Sequence, residues 1–497
     1  MARVSVGNFT SLEHLLWERV PLAKRHAQQV RDDVVLSCTV CLDLMDPVSI
    51  WGSQNSQATE TFLFRSPVEN RLFYAFGVTQ KLTSRGTERF AGLRHQLEHL
   101  QPRWVYTASD TPRLFGGFAF TEGNRHKPWT DWEDSQWVLP RFILEVAQDN
   151  TCTLTINMVV GAECETAGSV RETLQSIQQW VSNSGVIPAQ QTQAGGEALP
   201  RPNSIIEAEH AKAMVLRQQG DGDATSGAWK QLVHEAASVV RNEGMRKVVL
   251  ARRSRLTVRH NVSIPRALQR LMETYPESYV FAIRHAETSF IGVTPERLVR
   301  VVNGEVFIDA LAGTTRRGKT LDEDTQLGHA LLHSQKDRKE HAVVVERVCC
   351  AIEGLVENVV VVPEEPVLKP LANLQHLYTP IHAQAKPKVS VLDFVEQLHP
   401  TPAVAGEPRL AALAYIRDHE GMDRGWYAAP IGWMSPTGDG EFVVALRSAL
   451  IEYDAAYLYA GAGIMADSDP DLEWEETELK LQAMRTALQV ESEEAKP

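Results

Sequence analysis

Two acidic patterns in the second half of this sequence have the spacing to do chemistry together. Asp337 and Glu340, in SQKDRKEH, stand three residues apart, as do Glu473 and Glu476 in DLEWEETELK. Each pair would fall on one face of a helix, and Lys480 continues the second face one turn further on. Two helices that each present two acids could give oxygen ligands to a hard cation. Mg²⁺ suits such a set, because it takes few carboxylates, keeps several waters and accepts an anionic group of a substrate. By spacing alone, a solvated acidic face salt-bridged to neighbouring Lys and Arg fits these acids better.

Two glycine-containing stretches are also dense in polar groups. LAGTTRRGKT (311–320) is expected to be a loop between a strand and a helix, with Gly313 and Gly318 permitting a tight turn. Free backbone N–H groups, Thr314 and Arg316 or Arg317 would then suit an anion near a helix N-terminus, although an ordinary basic turn fits equally. The stretch is not a P-loop. AGAGIMADSDP (460–470) has Met465 and Ala466 where a dinucleotide-binding loop needs its last glycine, so a glycine loop contacting another anion is the better expectation. His329, His333 and His341 lack the HExxH pattern or a third ligand on one face, so zinc is not expected. No GxSxG stands out for acyl chemistry.

The elements that must position these groups alternate along the chain. Strands are expected over 71–82 and 116–123, and a hairpin over 137–160 turning at Asp149-Asn150. A Gln/Gly/Pro-rich stretch, 185–204, separates an N-terminal scaffold (1–204) from a catalytic region (205–497). The latter opens with a helix near 227–243 and the strand KVVLARRSRLTV. A four-stranded meander over 279–310 follows, turning at Asn303-Gly304. Next comes one long helix over 321–354, with Gly354 as its C-cap. Three strands, GWYAAPIGWMS, GEFVVALRSALIE and AAYLYAGAGI, lead to a last helix near 471–490. Antiparallel strands with a few long helices indicate an α+β layered fold.

The 497 residues carry a net charge of −13, which argues against a nucleic-acid surface but not against a small anion held by a local group of cations. No apolar run is long enough to span a membrane, and the N-terminus has no apolar signal core. Six cysteines are too few for a disulfide scaffold. The Cys38/Cys41 pair lies in a strand-like run with no second ligand pair, so a structural role is expected. A reduced, cytoplasmic protein is the expectation.

In this order, KVVLARR, FIGVTPERL, LAGTTRRG, KDRKEH, LQHLYTPI, LHPTPAVAGEP, VALRSAL, GAGIMADSDPDLEWEET and ELKL resemble the catalytic half of the chorismate-utilising enzymes. RLFGGFAF and VLPRFIL extend the likeness to the N-terminal region, towards the isochorismate synthase subgroup. The resemblance implies an anthranilate synthase component I-like fold. Two antiparallel sheets would pack face to face with helices outside, and the N- and C-terminal halves would be pseudo-symmetric within one globule. It implies chorismate as substrate and Mg²⁺ as cofactor. Lys247 matches the general base that activates water, a role that needs its pKa lowered by burial or by cations such as Arg252 and Arg253. Glu296 matches the general acid at the departing hydroxyl and must be held protonated. Glu340, Glu473 and Glu476 match the Mg²⁺-binding acids, with Asp337 a candidate to stand behind them or to bind through water. Tyr427 and Arg447 match residues holding the enolpyruvyl carboxylate. Thr314, His376, Ala403, Gly461, Gly463 and Lys480 match other substrate contacts.

Two positions indicate the branch. Ala312 stands where aminodeoxychorismate synthases typically place a nucleophilic lysine, which leaves room for an external nucleophile. Ala403 stands where anthranilate and salicylate synthases typically carry Thr. Water addition without pyruvate loss is therefore expected, serving menaquinone or siderophore biosynthesis, with no glutaminase partner and a monomeric enzyme. A salicylate synthase, or a non-catalytic family subunit, is the alternative.

Overall fold

The computed structural model describes residues 3–4, 10–42, 60–123, 125–147, 149, 151–183, 216–218, 225–242, 244–258, 262–361 and 365–489. The 185–204 stretch, the boundary at 204/205 and Asn150 lie outside them.

Among the described residues, fourteen strands form one sheet and ten form a second. The larger sheet has Val34–Leu42 towards one edge and Lys247–Val258 towards the other. Strands of both chain regions interleave: Glu60–Ser66 pairs with Tyr279–His285, and in the smaller sheet Leu114–Phe118 pairs with Pro430–Met434. Pairing is antiparallel except at one edge, where Arg3–Val4 and Trp104–Val105 each pair parallel with Val34–Leu42. Cys38 is buried within that strand, and burial pushes its thiol up to about 12.

The sheets pack face to face through aromatic side chains. Phe62 and Phe73 of the larger sheet meet Phe115 of the smaller at ring-centre distances of 6.0 and 5.9 Å, and Phe73 also meets Trp433. Helices cover the outer face of the larger sheet. Leu12, Leu16 and Val20 come from one, and Leu481, Met484 and Leu488 from another. The expected two-sheet layered architecture is therefore present.

Several elements match their expected bounds, and the strand differences arise where the chain changes sheets. The strand over 71–82 is two strands, Arg71–Phe76 in the larger sheet and Gln80–Ser84 in the smaller. Ser135–Leu139 likewise belongs to the smaller sheet, while Phe142–Val146 and Cys152–Val160 form the expected hairpin in the larger. The meander over 279–310 divides the same way: Tyr279–His285 and Thr288–Thr294 lie in the larger sheet, Arg297–Val302 and Glu305–Arg316 in the smaller. Its expected turn at Asn303-Gly304 is present, with φ of 51° and 81°, the mirror-image turn that matches strand twist. The long helix is broken in two, Leu321–His333 and Gln335–Ile352, because Ser334 adopts an extended ψ of 114° and caps the second helix. Gly354 is not a left-handed C-cap; Glu353 ends that helix in ordinary helical geometry.

Phe115→Ala would open a void between the sheets. We expect a loss of about 3–5 kcal/mol in denaturant unfolding, with Phe115→Leu costing less. Equal stability of the two variants would mean that the intersheet contact does not hold the layers together.

Candidate active site

The site lies where the chain changes sheets twice, side by side. Thr294 ends a strand of the larger sheet and Arg297 begins one of the smaller, so Pro295 and Glu296 span the gap. Val444 ends a strand of the smaller sheet and Ser448 begins one of the larger, so Arg447 lies in the return crossing. The crossings are joined by backbone hydrogen bonds, Val444 N–H to the Glu296 carbonyl at 3.1 Å and Val293 N–H to the Arg447 carbonyl at 3.2 Å. Arg447 has a φ of +45°, a strained value for a side chain of this size.

Between these crossings is a cavity of about 100 Å³. Lys247, Glu296, Thr314, Glu340, His376, Ala403, Tyr427, Arg447, Gly461, Gly463, Glu476 and Lys480 all line it. Asp337 and Glu473 do not, and stand behind the acids that do. Sequence positions more than 200 apart thus converge on one chamber.

Glu296 is buried, and its carboxyl is pushed up to about 8. Desolvation is the largest cause and the Asp309 carboxylate adds to it, while Lys247, Lys369 and Lys480 oppose it. At neutral pH this side chain is a proton donor. Lys247 opens the Lys247–Val258 strand, and its Nζ donates to Glu340 Oε1 at 2.6 Å. Space for it depends on Gly463 opposite, where a Cβ would stand 2.7 Å from Lys247 Cε and 3.1 Å from Glu340 Oε1. Arg252 and Arg253, expected beside Lys247, are engaged elsewhere. Arg252 lies over the Trp474 ring and bonds Thr477, and Arg253 reaches the Lys127 carbonyl.

Arg447 is buried with no carboxylate ion-paired to it among the described residues, and desolvation lowers its guanidinium to about 10. Its Nη2 donates to His376 Nε2 at 2.9 Å, while its Nη1 has no partner. Arg can only donate, so His376 Nε2 accepts and the ring proton sits on Nδ1, 3.1 Å from Thr314 Oγ1. Burial first, and Arg447 next, hold His376 well below its ordinary pKa and therefore neutral. Tyr427 stacks on Tyr459 at 5.2 Å, and burial raises its phenol.

The glycine stretches are strands here rather than loops. Glu305–Arg316 runs through LAGTTR with a bulge at Gly313, whose φ of +76° turns Thr314 into register with His376. The turn after it holds no free anion site. Asp324 accepts from Gly318 N–H and from Arg317, and Glu323 accepts from Lys319 N–H and Arg316, so the chain's own acids occupy those donors. AGAGI is the end of the Ala455–Ile464 strand, with Gly461 and Gly463 on the cavity side.

The four expected metal acids do adjoin. Glu473 accepts from Ser468 Oγ at 2.7 Å and is pushed up to about 7, by burial first and by Glu476 second. Asp337 accepts from Ser334 Oγ and is raised, chiefly by burial, with Glu340 and Glu476 adding. Glu476 is paired with Lys480 at 2.5 Å. As they stand, no three His, Cys, Asp or Glu side chains among the described residues enclose an ion. An all-oxygen set whose members repel one another fits a hard cation chemically. Closing on one would require Glu340 and Glu476 to leave their lysines.

Arg424 also lines the cavity, and the sequence motifs did not single it out. It donates to the carbonyls of Val404 and Val249 and pairs with buried Glu420 at 2.5 Å, tying the Ala403 loop to the Lys247 strand. The i,i+4 pairing with Glu420 is local, but nothing in the spacing signals the ties to Val404 and Val249, which are remote in sequence.

A family model described as chorismate binding enzyme matches residues 22–489. The chain is 37% identical to the salicylate biosynthesis isochorismate synthase of Pseudomonas aeruginosa, over 93% of this chain and 92% of that one. It is 31% identical to the isochorismate synthase MenF of Bacillus subtilis, over 96% and 98%. The solved menaquinone-specific isochorismate synthase of Escherichia coli superposes with a TM-score of 0.72 at 25% identity, covering 91% of this chain and 94% of that one. Anthranilate synthase component I of Streptococcus pneumoniae shares the fold, with a TM-score of 0.64 at 20% identity, over 87% and 93%.

Arg424→Met would leave Glu420 buried with the Ala251 N–H but no cation beside it, a change worth about 3–5 kcal/mol of stability. Arg424→Met with Glu420→Leu should recover most of that in denaturant unfolding. No recovery in the double variant would show that the carbonyl ties, rather than the charge pair, carry the effect.

Proposed function

The chain belongs to the chorismate-binding enzymes, and within them we propose that it is an isochorismate synthase. It would add water at C2 of chorismate and release the C4 hydroxyl as water, with the enolpyruvyl group retained. The observation that carries this reading is a buried carboxyl at Glu296, whose burial favours the neutral form, in the same cavity as the Lys247 amine. Two proton-transfer groups with distinct environments are what a substitution with one hydroxyl arriving and another leaving requires.

In the proposed mechanism Arg447 and Tyr427 receive the enolpyruvyl carboxylate, with Nη1 of Arg447 as the donor left for it. His376 is neutral and fixed by Arg447 and Thr314, so it orients the guanidinium without repelling it. Lys247, once released by Glu340 and after giving its ammonium proton to solvent, takes a proton from the incoming water as the neutral amine. Glu296 gives its proton to the leaving oxygen. Ala312 puts no amine beside the substrate to compete with water, and the reaction needs no ammonia-supplying subunit. Glu340, Glu476 and Glu473, with Asp337 directly or through water, would hold Mg²⁺, which when bound supplies positive charge to the ring carboxylate. The Pseudomonas relative is named for salicylate biosynthesis, a Vibrio cholerae relative is named vibriobactin-specific, and the Escherichia coli structure is menaquinone-specific. Menaquinone or siderophore formation is accordingly the proposed destination of the product.

The test is incubation with chorismate and Mg²⁺, following isochorismate by chromatography and salicylate by fluorescence. We expect isochorismate to accumulate; salicylate without isochorismate would make the chain a salicylate synthase. Lys247→Ala and Glu296→Gln should each lower kcat by about 10²–10⁴-fold. Activity should fall as pH rises through about 8, because Glu296 then loses the proton it must donate. A profile flat from pH 7 to 9 would remove Glu296 from the acid role. Chelation should abolish turnover and Mg²⁺ restore it.

A further inference from the structure

A charged cluster beside Glu296, outside the lining of the cavity, has no part in the mechanism above. Asp309, buried on the Glu305–Arg316 strand, accepts from Arg297 Nη2 at 2.6 Å and from the Tyr378 hydroxyl at 3.2 Å through Oδ1. Its Oδ2 faces Lys369 Nζ at 3.2 Å. Lys369 Nζ also donates to the Pro295 carbonyl at 3.0 Å and lies 4.6 Å from the centre of the Tyr378 ring. Both chain neighbours of Glu296 are thereby gripped by one ion cluster, Pro295 through Lys369 and Arg297 through Asp309.

We propose that Asp309 and Lys369 are positioning residues that act through Glu296. Their ion pair fixes the backbone on both sides of the acid and sets how firmly it keeps its proton. This deepens the isochorismate synthase reading and rests on Glu296 being its acid. The physical case is local. Glu296 sits in a water-poor crossing, so a charge held close to it is weakly screened. Asp309 opposes ionisation of Glu296, and Lys369 favours it. Each limits the other, and the balance leaves an acid that is neutral at physiological pH yet able to give up its proton. The other charged groups facing Glu296 are Lys247 from the Lys247–Val258 strand and Lys480 from the Pro470–Leu488 helix. Arg447, Glu340 and Glu476 line the same cavity, and Tyr279 and Glu441 adjoin Arg297 beyond Asp309. Among these, only the Asp309–Lys369 pair both adjoins the acid and ties down its chain neighbours.

The test uses Asp309→Asn and Lys369→Met in the full chain at one fixed Mg²⁺ concentration. The readouts are the alkaline limb of kcat/KM and an infrared titration of the Glu296 carboxyl, with Glu296→Gln as the blank. Asp309→Asn should move both midpoints to lower pH by about one unit, and Lys369→Met should move both to higher pH by a similar amount. Lys369→Arg should restore the original profile. Opposite shifts cannot come from general destabilisation, so Lys369→Met, which keeps the Asp309–Arg297 pair, decides the matter if Asp309→Asn folds poorly. Unmoved midpoints, or shifts in one direction for both variants, overturn the proposal. If Glu296→Gln stays active, the acid assignment fails instead, and the infrared midpoints still report on Asp309 and Lys369.

Discussion

The hydrogen bonds that join the two sheet crossings are the constraint on which the site depends. Val444 to Glu296 and Val293 to Arg447 hold two connecting segments side by side in the space between the sheets. A connection between layers would ordinarily leave backbone groups unsatisfied in an apolar core, at a cost comparable to a lost hydrogen bond for each. Here each crossing supplies the other's partner. Once that is settled, a carboxyl and a guanidinium are carried into the interior by the backbone itself. The strain at Arg447 and the desolvation of Glu296 are tolerated because the flanking strands are anchored in two large sheets.

How much of this could be read from the sequence follows from the range of the interactions. The strands Lys247–Val258 and Ala455–Ile464 and the helix Ser226–Asn242 were legible, because local pattern and buried partners agree there. The crossings were not. Residues 279–310 read as one continuous meander and 440–452 as a single strand, since alternation of side chains does not reveal that a chain has moved to another sheet. Ser334 was missed because a serine inside an amphipathic run looks helical until Asp337 N–H binds its hydroxyl. Gly313 and Gly461 suggested loops, yet one serves a bulge and the other gives space inside a strand. The site residues were legible only through ordered family motifs. The spacing of the acids alone favoured an exposed face.

What lay beyond both kinds of reading were groups of unremarkable type whose decisive ties reach segments remote in sequence. Arg424, Glu420, Asp309 and Lys369 belong to this class. A buried arginine is costly unless every donor is used, and Arg424 spends its own on two carbonyls and one carboxylate from three different segments. Such a residue can be recognised only when the three segments are seen together.

The cavity's charges form a consistent arrangement. Lys247 is matched to Glu340 and Lys480 to Glu476, so neither lysine's charge is buried alone. Arg447 is the exception, with a neutral histidine as its polar neighbour. An unmatched buried cation is costly in isolation, and that cost falls once an anion arrives. The lysine–glutamate pairs work differently, since each lysine's charge is already satisfied by its glutamate. The chamber therefore holds one cation whose charge the fold leaves unmatched and two whose charges it matches, so an arriving anion is drawn first to Arg447.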